Sequence, residues 1–198
     1  MDRTFRVIAI DGPASSGKGT VAAYLAKELQ YIHVDSGLFY RYFAHVCSQT
    51  DDNASVENTL RKAQQNVVEF FKHVLQSFYN KQEGVQIITA LKTETCGQMA
   101  STLSANGDVR QCVNAAIRSI DQNIVIDGRD TTTVIFPNAD VKLFITADIQ
   151  ARAKRRMLEA KGRGEWTSNA NVANQEFAEF DDNVFRRYID AINQRDCN

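Results

Sequence analysis

The chain has 198 residues, of which 24% are charged and 43% belong to the hydrophobic set, and its formal net charge is −1. That mixture suits a globular domain with its own core and excludes fibrous, low-complexity and disulfide-stapled classes. It also lacks the basic excess of a polyanion-coating surface, so nucleic acid is not expected as a partner.

Cys47, Cys96, Cys112 and Cys197 show no Cys-x-x-Cys spacing, which fits buried thiols in a reducing cytoplasm. His33, His45 and His73 stand alone, without metal-ligand spacing. The N-terminus has no signal-peptide pattern, and no apolar run approaches the ~20 residues of a membrane helix, so no membrane partner is expected.

In chain order, "FRVIAI" (5–10) reads as a buried parallel strand, being short, apolar and rich in β-branched residues. "DGPASSGKGT" (11–20) follows at once. Gly12, Gly17 and Lys18 obey the phosphate-loop pattern Gly-x-x-x-x-Gly-Lys-Ser/Thr, but Gly19 stands where the hydroxyl belongs and Thr20 brings it one residue late. "KGTVAAYLAKELQ" carries Val21, Leu25 and Leu29 at helical spacing. Strand, glycine loop and helix together make a credible phosphate site. Backbone N–H groups line the loop, the helix N-terminus adds its dipole, and Lys18 adds a full charge.

"YIHV" (31–34) reads as a second strand, ending at "DSG". Helices are expected over 37–48 and 55–73. "VLQSFYN", "KQEG" and "VQIITAL" read as a β-hairpin, since residues alternate on both sides of a polar turn. "NKQE" (80–83) comes close by letters to a guanine-reading motif, but it ends in Glu and lies in that turn, so a GTP-driven switch is not supported. Helical patterns return over 93–120. "NIVIDGRD" and "DVKLFI" are strands, "DIQARAKRRMLEAK" is a basic helix, "GRGEWTSNANVANQ" is a polar loop, and "FAEFDDNVFRRYIDAINQRD" closes as a helix. Alternating strands and helices predict an α/β fold with a parallel sheet, whose ligands bind beyond the carboxyl ends of the strands. The glycine loop, "DSG", "DGRD" and the basic helix all follow such ends.

"IDGPASSGKGT", "VDSGLFYR", "DGRDTTTVIFPNADVKLFITAD" and "RAKRRMLE" together resemble the nucleoside monophosphate kinases, and within them the bacterial cytidylate kinase family, from residue 6 to the last residue. That family writes Gly-Lys-Gly-Thr in its phosphate loop. The resemblance implies a three-layer P-loop kinase: core 1–35 and 105–147, a nucleotide-monophosphate insert over 36–104 with a small antiparallel hairpin, a lid over about 148–171 and a C-terminal helix over 172–198. It implies ATP-dependent phosphoryl transfer to CMP and dCMP, giving CDP and dCDP plus ADP, by a cytoplasmic monomer using Mg²⁺. A phosphate-oxygen nucleophile is already anionic and needs cations rather than a strong base, which suits the arginines at these motifs.

By the same resemblance, Gly12, Pro13, Ala14, Ser15, Ser16, Gly17, Lys18, Gly19 and Thr20 bind ATP with Arg152 and Arg155. Lys18, Arg129, Arg155 and Arg156 serve the transfer, and Thr20 meets Mg²⁺ through a water. Ser36, Arg41, Ser101, Arg110, Arg129, Asp130 and Arg195 bind CMP, with Ser101, Arg110 and Asp130 reading the cytosine edge. A carboxylate accepts from cytosine's exocyclic amino group, which uracil lacks. Asp35 and Asp127 end strands near the phosphates, as orderers of Mg²⁺ waters or as structural caps.

Two departures accompany the likeness. The stretch 162–183 is longer than the family's usual. The family's final acceptor-site Asp and Arg, its last core strand and a helix are expected after "INQRDCN", so the last core strand is expected to be missing and a sheet edge unpaired. The readings kept open are a kinase for another acceptor (UMP, AMP or a small metabolite) and a nucleotide-binding chain that does not turn over.

Overall fold

In a computed structural model of the chain, residues 4–49, 55–79 and 91–162 are described. Their elements are β1 (Val7–Asp11), α1 (Lys18–Leu29), β2 (Ile32–Asp35), α2 (Ser36–Ser48), α3 (Ser55–Gln65), α4 (Val67–Phe70), α5 (Lys72–Tyr79), α6 (Glu94–Leu103), α7 (Gly107–Arg118), β3 (Ile124–Gly128), a π-helical turn (Thr131–Ile135), β4 (Val141–Phe144) and α8 (Ile149–Gly162). They group into two compact units. One holds the described residues up to Gly12 and from Lys18 to Ile145; the other holds Pro13–Gly17 and the described residues from Thr146 to Gly162.

In the first unit the strands form one four-stranded sheet in the order β2-β3-β1-β4, every pairing parallel. Side chains alternate across a strand, so each central strand feeds two layers. Val7 and Ala9 of β1, with Ile124 and Ile126 of β3, join the larger core of Phe39, Phe43, Phe71, Val113 and Ile117. Ile10 and Val125 point the other way, to Ala22 and Ala26 of α1. Small residues on that face of α1 let the helix sit close over the strands, directly after the glycine loop. β4 is the outer strand of the described sheet, and Phe144 there is 72% exposed.

The register sets the functional edge. Asp35 pairs with Asp127, and Asp11 with Gly128, so three strands bring their acidic ends to one side of the sheet. The α/β fold expected from the sequence is the fold observed.

Two local expectations change, and the helical patterns over 93–120 are observed as two helices. The helix read over 55–73 breaks twice. Asn66 leaves helical geometry and caps α4 by accepting from Glu69 N at 3.1 Å, and Phe71 interrupts before α5. The first arm of the hairpin is helix α5, because Phe71, Val74, Leu75 and Ser77 are buried at helical intervals; the rest of that hairpin, residues 80–90, lies outside the described residues. The pattern over 93–120 divides at Asn106, whose side chain accepts from Asp108 N and Val109 N to start α7. Among the described residues no helix is long and apolar enough to cross a membrane.

Candidate active site

The loop between β1 and α1 adopts the conformations its glycines suggest. Gly17 has φ +96°, and Ser15 sits at φ +58°, where an L-residue pays roughly 1–2 kcal/mol. Such strain persists only where surrounding structure enforces it, and it gathers at ligand sites. Two arginines of α8 contact the loop here. Arg152 Nη1 donates to Ala14 O at 3.4 Å, and Arg155 Nη1 donates to Ser15 O at 3.3 Å and Ser16 O at 3.0 Å. A Cβ at Gly17 would come within 3.5 Å of Arg155 Nη1. Arg152 is buried, Arg155 is exposed, and Arg156 is half-buried on the same helix. Ser16 Oγ is buried and has no hydrogen-bond partner among the described residues. A buried hydroxyl left unmatched costs free energy, which a ligand oxygen would recover.

At the start of α1 lie Lys18, Gly19 and the exposed Thr20. A Cβ at Gly19 would stand 3.5 Å from Asp127 Oδ2, an ordinary contact, which places the start of α1 beside that carboxylate. Asp127 in turn shares a 2.7 Å hydrogen bond with His33 Nε2 from the neighbouring strand. Asp35 accepts from Gly37 N at 2.9 Å and so caps α2. Burial, and then the neighbouring Asp127, push the Asp35 carboxyl above its ordinary value. Among the described residues, no group of three or more His, Cys, Asp or Glu side chains is arranged to hold a metal ion.

The acceptor-side residues fall on α2, α6, α7 and the turn after β3. Ser36 is buried at the start of α2, and a Cβ on Gly128 would stand 1.9 Å from its Oγ. Arg41 Nη1 donates to Leu91 O at 2.8 Å and Thr93 O at 3.0 Å, and its guanidinium lies against Gly97, where a Cβ would stand 2.9 Å from Nη2. Ser101 sits half-buried on α6. Arg110 of α7 and Asp130 form an ion pair. Tyr40 lies beside that pair, and burial raises its phenol, which stays protonated at neutral pH. Asp130 takes a left-handed backbone, φ 57° and ψ 18°. Arg129 is exposed at the carboxyl end of β3. Arg195 lies outside the described residues, as do Trp166 and Cys197.

The sequence model of the family described as Cytidylate kinase matches residues 8–195. The chain belongs to the cytidylate kinase family. Among curated members, the cytidylate kinase of Pseudomonas fluorescens (strain Pf0-1) is 36% identical, over 88% of this chain and 78% of that one. That of Ralstonia nicotianae is 39% identical over 81% and 69%, and that of Nitrosococcus oceani 34% over 99% and 88%.

Against this family background, two residues carry more than their sequence setting suggests. His33 looks isolated in the chain, yet parallel pairing of β2 with β3 sets it against Asp127. Asp11 reads as the end of a strand, yet its carboxylate meets Thr131 and Thr132. Only the register of the strands could have signalled either one. Cys47, Cys96 and Cys112 form no disulfide with one another, and burial raises each thiol, as expected of inert structural cysteines.

Proposed function

We propose that this chain catalyses phosphoryl transfer from ATP to CMP and dCMP, forming CDP or dCDP and ADP. The observation that carries the reading is the family match over residues 8–195, which takes in the phosphate loop, the Asp-Ser-Gly stretch, the Asp-Gly-Arg-Asp block and the basic helix.

The loop Gly12–Thr20 binds the donor phosphates through its N–H groups and Lys18, and the Ser16 hydroxyl finds its partner there. Arg152 and Arg155 already shape the loop by its carbonyls; Arg155 and Arg156 neutralise charge on the transferring group. On the acceptor, Arg41 and Arg129 hold the phosphate, Ser36 and Arg195 orient the nucleotide, and Ser101, Arg110 and Asp130 read the base. An acceptor phosphate oxygen attacks the γ-phosphorus; the bond from that phosphorus to the β,γ-bridging oxygen breaks, and ADP leaves with the electron pair.

Bound Mg²⁺ supplies neutralisation of phosphate charge. Thr20, exposed at the start of α1, would be the hydroxyl that meets a Mg²⁺ carried in with the nucleotide. A cytoplasmic monomer without nucleic-acid or membrane partners completes the reading, and the near-neutral charge supports small nucleotides as its ligands.

The test is ADP release with ATP-Mg²⁺ and, separately, CMP, dCMP, UMP, AMP and dTMP. Turnover with CMP and dCMP alone is expected. Turnover with another acceptor would reassign the base site, and ATP and CMP binding without ADP release would mean a binding module.

A further inference from the structure

We infer that Asp11, at the end of the strand entering the phosphate loop, is the positioning residue for base selectivity: its carboxylate clamps the turn that aims Asp130. The inference rests on Asp130 reading the base.

Asp130 has little freedom to choose its own direction. Its left-handed backbone is one that non-glycine residues seldom adopt, though Asp tolerates it better than most. The π-helical turn begins directly after it, and the first N–H groups of a helical turn have no partner within the turn. Asp11 accepts them. Oδ1 accepts from Thr131 N at 2.7 Å and from the Thr131 hydroxyl; Oδ2 accepts from Thr132 N at 3.0 Å and from the Thr132 hydroxyl. The Asp130 carbonyl is held from the other side by Val134 N at 2.9 Å and Ile135 N at 3.0 Å. With both flanks fixed, the Asp130 side chain is delivered to Arg110. Asp11 and Thr131 are 7% and 0% exposed, so water cannot readily stand in for the bonds between them, while Thr132 is half-buried.

The chemistry demands a carboxylate. Each oxygen accepts from two donors, one of them a backbone N–H that cannot turn away. An asparagine, in either orientation of its amide, sets an NH₂ against one of those N–H groups. The turn would shift, and a shift of about 1 Å in a positioning group can cost on the order of 10²-fold.

The test compares kcat and KM for CMP and UMP in Asp11→Asn, Thr132→Val, Thr132→Ser and Asp130→Ala, with KM for ATP alongside. Thr132→Val keeps the backbone bond and loses only the hydroxyl; Thr132→Ser keeps both. Expected are a CMP-to-UMP selectivity that falls about 10- to 100-fold in Asp11→Asn, a several-fold fall in Thr132→Val, wild-type selectivity in Thr132→Ser, and KM for ATP within about twofold in both Thr132 variants. Should Asp11→Asn not fold, the two Thr132 variants decide alone, since a merely structural bond would leave selectivity where it was. A selectivity lost in Asp130→Ala but kept in Asp11→Asn and Thr132→Val overturns the positioning role. A selectivity unmoved in Asp130→Ala overturns the base-reading assignment itself, and the positioning role with it.

Discussion

Replacing Gly97 by alanine separates the architecture of α6 from the acceptor site. The added Cβ would stand 2.9 Å from Arg41 Nη2 and 3.2 Å from its Cζ and Nη1. Ordinary carbon contacts lie at ~3.5–4.0 Å, so the guanidinium must withdraw by about 0.5 Å or more. Its hydrogen bonds to Leu91 O and Thr93 O start at 2.8 and 3.0 Å and would be strained or broken. Bonds from a charged donor contribute about 1.5–3 kcal/mol each, at the low end here because Arg41 is only half-buried and water can replace a carbonyl. Alanine in a helix interior returns about 0.5–1 kcal/mol. The loss exceeds the return: one bond broken leaves a net destabilisation of about 0.5–1 kcal/mol and both about 2–2.5 kcal/mol, or about 1–10 °C in Tm. Activity has no such compensation. With Arg41 on the acceptor phosphate, kcat/KM for CMP should fall about 10- to 100-fold while KM for ATP holds. Calorimetry and coupled ADP release read both quantities on one preparation. A variant with higher Tm and unchanged kcat/KM for CMP would refute the assignment of Arg41 to the acceptor phosphate.

Three further outcomes are expected. Asp35 has a raised carboxyl, so its folded state favours the protonated form: that contribution is fully present below the unfolded pKa and is lost as pH rises through the folded pKa. Asp35→Asn keeps an N-cap acceptor, so its Tm relative to the parent should climb from pH 4 to pH 8, and a constant difference would contradict the burial argument. Gly128→Ala places a Cβ 1.9 Å from Ser36 Oγ and 3.0 Å from Thr131 Cγ2 in a fully buried strand, and denaturant melts should show a loss of at least ~1–3 kcal/mol. His33→Leu removes the partner of Asp127 Oδ1 beside Gly19, and kcat should fall several-fold with KM for CMP nearly unchanged; His33→Asn should recover part of it, and equal losses in both variants would argue against the hydrogen bond.

The phosphate loop was legible because everything it needs is local. Two glycines, a lysine and a hydroxyl lie within a few residues between a strand and a helix, and backbone sterics alone select that arrangement. The family resemblance was legible for the same reason, each motif being one short stretch. The parallel sheet followed from apolar runs alternating with helical patterns, and β3, buried throughout, is such a run.

Short apolar segments were where the reading failed. Residues 74–80 alternate well enough for a strand, but Val74 and Leu75 pack against the core and 74–79 belong to a helix. Residues 55–73 carry one continuous pattern, but the Asn66 side chain captures an N–H and restarts the helix.

What the sequence by itself determined, then, were the elements whose cause lies within one turn or one strand: the glycine loop, the caps and the apolar strands. Tertiary structure alone decided the contacts that cross them. Asp11 reaches Thr131 over 120 positions and His33 reaches Asp127 over 94. Those meetings depend on which strands lie side by side and in what register, and a shift of one residue would turn each side chain to the opposite face.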